Sequence, residues 1–242
     1  MTTATASPTE FAPGLAIQGF NAPLSLSQFK LIAFDMDSTL ISIECIDEIA
    51  DAVGRKAEVA AITEAAMRGE ITDFKESLRR RLALLKGVTL ADMERVYTER
   101  LKINPGAAEL IAACQKAGMK VLLVSGGFTF FADRVKERLN IDFARSNRLE
   151  VVNGELTGGL VMQSWGDICD GAEKRRTMLE VASLLGIQPH ECIAVGDGAN
   201  DLPMMGAAGL SVAYHAKPKV REQAKVAIQE GGLDRLLEVF RP

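Results

Sequence analysis

No stretch of this 242-residue chain approaches the ~18 consecutive apolar residues that a membrane-spanning helix needs. Its start, Met1-Thr2-Thr3-Ala4-Thr5-Ala6-Ser7-Pro8, has neither the basic residues and apolar run of a signal peptide nor the arginines of a mitochondrial presequence. A cytoplasmic location without a membrane partner is therefore expected. Dense basic blocks are missing too, and with 28 Lys and Arg against 32 Asp and Glu the formal charge is -4, which argues against a nucleic-acid partner. Cysteine is scarce. Cys45, Cys114, Cys169 and Cys192 make no C-x-x-C pair, which leaves them as reduced thiols in packed positions. The two histidines, His190 and His215, stand too far apart for a local metal motif, and His190 reads as a surface turn residue. What is present is an apolar share of 48%, enough for a sizeable core, in a length that suits one domain or one domain with an insert. The oligomeric state is not encoded legibly, and a homodimer is left open.

The most informative segment is Asp35-Met36-Asp37-Ser38-Thr39-Leu40, at the end of the apolar run Leu31-Ile32-Ala33-Phe34. It puts two carboxylates where a buried strand opens into a loop, the edge at which open α/β sheets build their sites. Asp35 and Asp37 share one side of an extended segment. Alone the pair is weak, since roughly one D-x-D is expected by chance at this acidic content. Val195-Gly196-Asp197-Gly198-Ala199-Asn200-Asp201 adds weight, because it follows a second apolar run from Cys192 and its glycines permit a tight turn. Several carboxylates converging there would repel one another without a cation, and an all-oxygen ligand set suits Mg²⁺. A third apolar run, Lys120 to Val124, leads into Ser125-Gly126-Gly127 ahead of a helical stretch expected from Phe128. A hydroxyl and free N–H groups at a helix N-terminus suit phosphate. Lys174, near the start of an expected helix from Gly171 to Leu185, could add positive charge.

Strands alternating with helices predict an α/β fold with a Rossmann-like, mostly parallel sheet and right-handed crossovers. Residues 1–28, rich in Thr, Ser, Ala and Pro, are expected to be a flexible extension. From 45 to 101 the pattern is helical, with Thr89 as an N-cap and Asp92 three residues on. That stretch reads as a helical cap inserted after the first strand, with 29–44 and 102–242 forming the α/β core. Asn104-Pro105 is expected to start a helix, with Asn104 as its N-cap. Asn153-Gly154 between two strand-like runs predicts a hairpin. Pro218 to Ala224 and Leu233 to Phe240 are expected as closing helices.

In this order the four segments resemble the haloacid dehalogenase (HAD) superfamily of phosphotransferases, from about Lys30 to the C-terminus. Asp35 to Leu40 is like its first motif, Val124 to Gly127 its second, Lys174 its third and Gly196 to Asp201 its fourth. Glu44-Cys45-Ile46-Asp47-Glu48-Ile49-Ala50, Ser77-Leu78-Arg79-Arg80-Arg81 and Ala144-Arg145-Ser146-Asn147-Arg148-Leu149 narrow the resemblance to the branch acting on O-phosphoserine. The resemblance implies a phosphoric monoester hydrolase working at the last step of serine biosynthesis. It implies Asp35 as nucleophile through an aspartyl-phosphate and Asp37 as acid and then base. Mg²⁺ would sit on the Asp35 carboxylate, the Asp37 backbone carbonyl and the Asp197 carboxylate. Ser125, Gly126 and Lys174 would hold the phosphoryl oxygens, Asn200 would contact substrate, and Asp201 would orient Lys174 or a metal-bound water. Glu44 and Arg81 would meet the substrate's ammonium and carboxylate. Consecutive helix residues point about 100° apart, so Arg79, Arg80 and Arg81 cannot all face inward, and the resemblance selects Arg81.

Three other readings compete. Cys169 and Arg175 fit the C-x5-R spacing of cysteine phosphatases, but Asp170 and Glu173 inside that loop would repel phosphate. A HAD-type phosphatase for another small phosphomonoester is opposed only by Glu44, Arg81 and the cap. A non-enzymatic binding module would predict a lost nucleophile or metal ligand, and none of Asp35, Asp37, Lys174 and Asp197 is lost.

Overall fold

The computed structural model describes residues 8–68 and 70–241. Among these, nine strands share one sheet: β1 (Thr9–Ala12), β2 (Leu15–Ile17), β3 (Leu31–Phe34), β4 (Lys120–Phe128), β5 (Phe143–Val152), β6 (Glu155–Val161), β7 (Cys192–Gly196), β8 (Leu210–Tyr214) and β9 (Val226–Ile228). The order is β1-β2-β9-β8-β7-β3-β4-β5-β6. From β9 to β5 all neighbours are parallel. The hairpin of β1 and β2 closes one edge and β6 the other, both antiparallel. Every residue of β3, β7 and β8 is buried, as expected for parallel strands covered on both faces.

Helices α1 (Cys45–Ala52), α2 (Lys56–Met67), α3 (Phe74–Ala83) and α4 (Leu90–Arg95) lie between β3 and β4 in sequence. The crossovers are α5 (Ala107–Lys116), α6 (Thr129–Arg138), α7 (Gly171–Leu184), α8 (Leu202–Ala207) and α9 (Pro218–Arg221). Side chains alternate across a strand, so the two faces of the sheet feed separate cores. Ile32, Phe34, Val121, Leu123, Ile193 and Val195 join one, with α1 and α5. Leu31, Ala33, Leu122, Val124, Cys192 and Ala194 join the other, with α7 and α8.

Phe34 is in register with both Leu123 of β4 and Val195 of β7. β3 and β7 therefore end side by side, while β4 runs on past them to Phe128. The chain departs from β3 to β4 on one side, while β7, β8 and β9 extend the sheet on the other. That reversal opens a crevice at the strands' C-terminal edge.

Several local expectations need correction. Residues 1–7 lie outside the described residues, but the rest of the expected flexible extension is built into the fold. Leu15, fully buried, pairs with Ile228, and Gln18 donates to carbonyls at Glu222 and Ala224. Asn104 is not an N-cap. The N-cap of α5 is Gly106, two residues later, and the Asn104 amide instead donates to Thr39 O (2.8 Å) and Ile41 O (3.1 Å). Phe128 ends β4, so Ser125-Gly126-Gly127 is extended strand rather than a helix N-terminus. The expected closing helices shrink to one turn, Pro218–Arg221, and a 3-10 segment, Leu233–Val239, with the unforeseen β9 between them. The helical stretch after β3, the Thr89–Asp92 capping box and the Asn153-Gly154 hairpin, both residues at positive φ, are as expected.

Candidate active site

Asp35 continues β3 by donating its N–H to Val195 O (3.0 Å), and its Oδ1 accepts from the Met36 N–H (2.7 Å). The chain then turns tightly. Asp37 is extended and Ser38 sits in the left-handed region at φ 56, a conformation that a serine holds only where its surroundings fix it. Here they do. Ser38 N–H donates to Ile43 O, Ile41 N–H to Met36 O, and Asn104 braces the far side. The turn aims Asp37 back toward the crevice.

Across the crevice β7 delivers Asp197, whose Oδ1 accepts from Thr39 Oγ1 (3.1 Å). Beneath it Asp201 is fully buried and fully committed. Its Oδ2 accepts from the N–H groups of Asp197 (3.2 Å) and Gly198 (3.0 Å), and its Oδ1 from Lys174 Nζ (2.7 Å). Lys174 also bridges to Asp35 Oδ1 at 2.7 Å. Helix α7, which carries Lys174, is capped by the Asp170 side chain accepting from the Glu173 N–H.

The electrostatics are those of an acidic pocket with one internal cation. Burial would lower the Lys174 ammonium, but Asp201 and Asp35 outweigh it and hold the charge. Asp35 is pushed up by burial and by Asp201. Burial, then Glu44, pushes Asp37 up to about 7, and burial, then Asp201 and Glu44, pushes Asp197 up to about 6. Oxygen atoms of Asp35, Asp197 and Asp201 lie within 4.8 Å of one another. Asp37 Oδ1 is buried without a hydrogen-bond partner. Oxygen-only donors, unrelieved negative charge and a partnerless buried acceptor fit a hard divalent cation. Both Asp201 oxygens already accept hydrogen bonds, whereas Asp35 and Asp197 accept theirs through Oδ1 alone.

Ser125 faces this group from β4. Its Oγ accepts from the Gly127 N–H (2.8 Å). Asn147 ties the strand down, donating to Gly126 O (2.7 Å) while its Oδ1 accepts from the Cys169 N–H (2.8 Å). A Cβ on Gly127 would lie 3.0 Å from both Ser125 Oγ and Asp37 Oδ2, so only glycine leaves that approach open.

These groups line one cavity of about 390 Å³, with Asp35, Asp37, Ser125, Gly126, Asp197 and Asn200 at its base. Helices α1 and α3 supply the opposite wall through Asp47, Phe74 and Arg81, next to Glu44 at the start of α1. Glu44 is exposed and accepts from Ser38 Oγ (2.6 Å). Arg81 is half-buried, while Arg79 and Arg80 are exposed and paired with Asp167 and Glu76. Thus the residues singled out from sequence converge, eight on the cavity surface, with Lys174 and Asp201 buried below. Asp47, Phe74, Thr39 and Asn147 were not singled out. Cys169 is fully buried, its thiol is pushed up to about 12 by burial, and Arg175 is exposed, so the cysteine-phosphatase arrangement is not formed.

A covered parallel sheet that presents an acidic cluster, a buried lysine and a serine at one edge defines a class. The chain belongs to the haloacid dehalogenase-like hydrolases, whose family model matches residues 32–206. Within that family it is 72% identical to a phosphoserine phosphatase of Albidiferax ferrireducens, over 97% of this chain and 99% of that protein. Two solved structures are also similar. One is a substrate-bound phosphoserine phosphatase complex (TM-score 0.80, 38% identity, 88% of this chain and 99% of that one). The other is a phospho-aspartyl intermediate analogue of phosphoserine phosphatase (TM-score 0.80, 39% identity, the same coverage). Among the described residues no helix is long and apolar enough to cross a membrane.

Proposed function

We propose that this chain hydrolyses O-phospho-L-serine to L-serine and phosphate, the last step of serine biosynthesis, in the cytoplasm. The observation that carries the reading is one cavity with two chemically distinct ends. At one end Ser125 and the Gly126 N–H, with Lys174 beneath, suit phosphoryl oxygens beside the acids Asp35, Asp37 and Asp197, which would need a cation to accept a phosphate among them. At the other, Glu44 and Arg81 supply one anion and one cation for an amino-acid head group. The high identity to phosphoserine phosphatases supports it.

Asp35 needs no base to be a nucleophile, because a carboxylate with a reference pKa near ~4 ionises by itself once cationic charge faces it. It attacks phosphorus, the bond from phosphorus to the seryl oxygen breaks, and an aspartyl-phosphate forms. Asp37, held near neutrality by burial, gives its proton to the departing oxygen. It then takes a proton from the water that attacks phosphorus and releases Asp35. Ser125, the Gly126 N–H and Lys174 hold the phosphoryl oxygens as their charge shifts. Asp201 keeps Lys174 in place, and Asn200 contacts substrate. The Asp35 and Asp197 carboxylates and the Asp37 carbonyl would hold Mg²⁺, which when bound offsets the repulsion between carboxylate and phosphate. Residues 45–101 act as a cap over a core of 29–44 and 102–242, with α1 and α3 excluding water.

The test is a panel of phosphomonoesters at fixed Mg²⁺, with Asp35→Asn as the background. Phosphoserine should have the highest kcat/KM, above phosphothreonine and sugar phosphates, and Asp35→Asn should be inactive on all. A sugar phosphate turned over faster than phosphoserine would overturn the substrate, and an active, folded Asp35→Asn would overturn the mechanism.

A further inference from the structure

Among the described residues, three buried side-chain nitrogen or oxygen atoms lack a hydrogen-bond partner: Asp37 Oδ1, Asp47 Oδ1 and Arg81 Nε. The first belongs to the acidic base of the cavity. The other two are an acceptor on the first turn of α1 and a donor on α3, both on the wall that faces it. A buried polar atom without a partner carries its full desolvation penalty. Both atoms are closed off from solvent, so an atom in the cavity cannot reach them as they stand. Each is the natural partner of the other. Among the charges acting on Asp47, Arg81 comes first, and the converse also holds. The neighbouring arginines differ. Arg79 and Arg80 already have carboxylate partners at Asp167 and Glu76.

We propose that Asp47 is a positioning residue for Arg81. As the amino-acid end of the substrate seats, α1 and α3 draw together and Arg81 Nε–H donates to Asp47 Oδ1. That bond fixes the plane of the guanidinium and leaves its two terminal nitrogens free to take a carboxylate in a bidentate fork. A free arginine would spend binding energy on ordering itself, and Asp47 removes that cost. The inference rests on the reading of Arg81 as the partner of the substrate carboxylate.

The experiment compares wild type, Asp47→Ala, Asp47→Asn, Arg81→Ala and the Asp47→Ala/Arg81→Ala double variant on two substrates. O-phosphoserine carries ammonium and carboxylate, and phosphoethanolamine carries the ammonium alone. In Asp47→Ala the ratio of kcat/KM for phosphoserine to that for phosphoethanolamine should fall by on the order of tenfold, the size of one charge-assisted hydrogen bond, mostly through KM. Asp47→Asn, which keeps an acceptor oxygen and guards against misfolding of the alanine variant, should recover part of the ratio. The double variant should be no worse on phosphoserine than Arg81→Ala. Equal losses on both substrates would place Asp47 on the ammonium or in the fold and overturn the proposal, as would additive losses in the double variant or an unchanged ratio. If wild type itself does not prefer phosphoserine to phosphoethanolamine, the substrate reading fails instead, and the two failures are told apart before any variant is made.

Discussion

Asp201 lies buried below the cavity rather than on its surface. Its two oxygens set the angle of the loop that presents Asp197 and hold Lys174 against Asp35. Gly196 makes room for it. A Cβ there would overlap Asp201 Cβ and Cγ, which are the rigid end of the side chain, so Asp201 and the loop would have to shift together. Gly196→Ala should therefore lower kcat by about 10²-fold, the scale expected when catalytic groups move by about 1 Å. The loss should be equal on phosphoserine and on p-nitrophenyl phosphate, because the damage lies at the phosphate end. Wild-type kcat in a folded Gly196→Ala protein would mean Asp201 has no such role. Residues of this kind mark how far a sequence can be read. Asp35, Ser125 and Asp197 are legible because each ends an apolar run, and strand ends share an edge. Phe74 is not, since nothing local marks it, and Asp47 and Asn147 stand in segments that carry the resemblance without any local pattern to give them a role. They gain a role only when α1, α3 and β5 are brought against the site. Arg81 needed the resemblance to be chosen among three arginines, and its burial now gives the physical reason.

At the scale of elements, α3 carries both Phe74 and Arg81, so its docking decides the shape of the cavity. It is tied to the loop ahead of α7 by Lys75 Nζ to Asp167 Oδ1 (3.0 Å) and by Arg79 Nη2 to Asp167 Oδ2 (2.6 Å). Lys75 also reaches Asp170, the N-cap of the helix that holds Lys174. Both arms converge on a partly exposed carboxylate, and pairs of this kind contribute roughly 0.2–1 kcal/mol each and weaken with salt. Asp167→Asn should lower kcat/KM on phosphoserine by up to about fivefold at low ionic strength. Wild type should lose the same advantage as salt rises, so the two proteins converge. If Asp167→Asn matches wild type at low salt, the ties do not help dock α3. The helices and strands themselves were largely legible from periodicity and turn residues. Errors fell where side chains were spent on tertiary bonds. Asn104 looked like a cap and braces the Asp37 turn instead, and β9 is too short, at Val226–Ile228, to show a period.

For the molecule as a whole, the sheet is continuous from the N-terminal hairpin to β6, and the acidic pocket lies near its middle. The hairpin escaped reading because strands of four and three residues, joined around Gly14 at φ 70, carry no alternation long enough to recognise. Burying carboxylates in the middle of this fold has a thermodynamic consequence. Asp37 and Asp197 are pushed up to about 7 and about 6, from an unfolded value near 4, and Asp35 is also raised. Between about pH 4 and pH 7 the folded protein therefore binds more protons than the unfolded chain, and stability falls as pH rises through that window. Asp51, Asp92 and Asp167, which their partners hold below the usual range, act in the opposite sense but below about pH 4. A divalent cation bound by the ionised carboxylates must displace those protons, so it binds more strongly as pH rises. Its stabilising effect grows with affinity. In EDTA the Tm should decline from pH 5 to pH 8 by more than the loss seen in saturating Mg²⁺, and the Mg²⁺-induced rise in Tm should be larger at pH 8 than at pH 5. Thermal melts across that range, with and without Mg²⁺, measure both. A Mg²⁺-induced rise that is as large at pH 5 would show that the cation does not bind at these carboxylates, and the metal site proposed at Asp35, Asp37 and Asp197 would have to be abandoned.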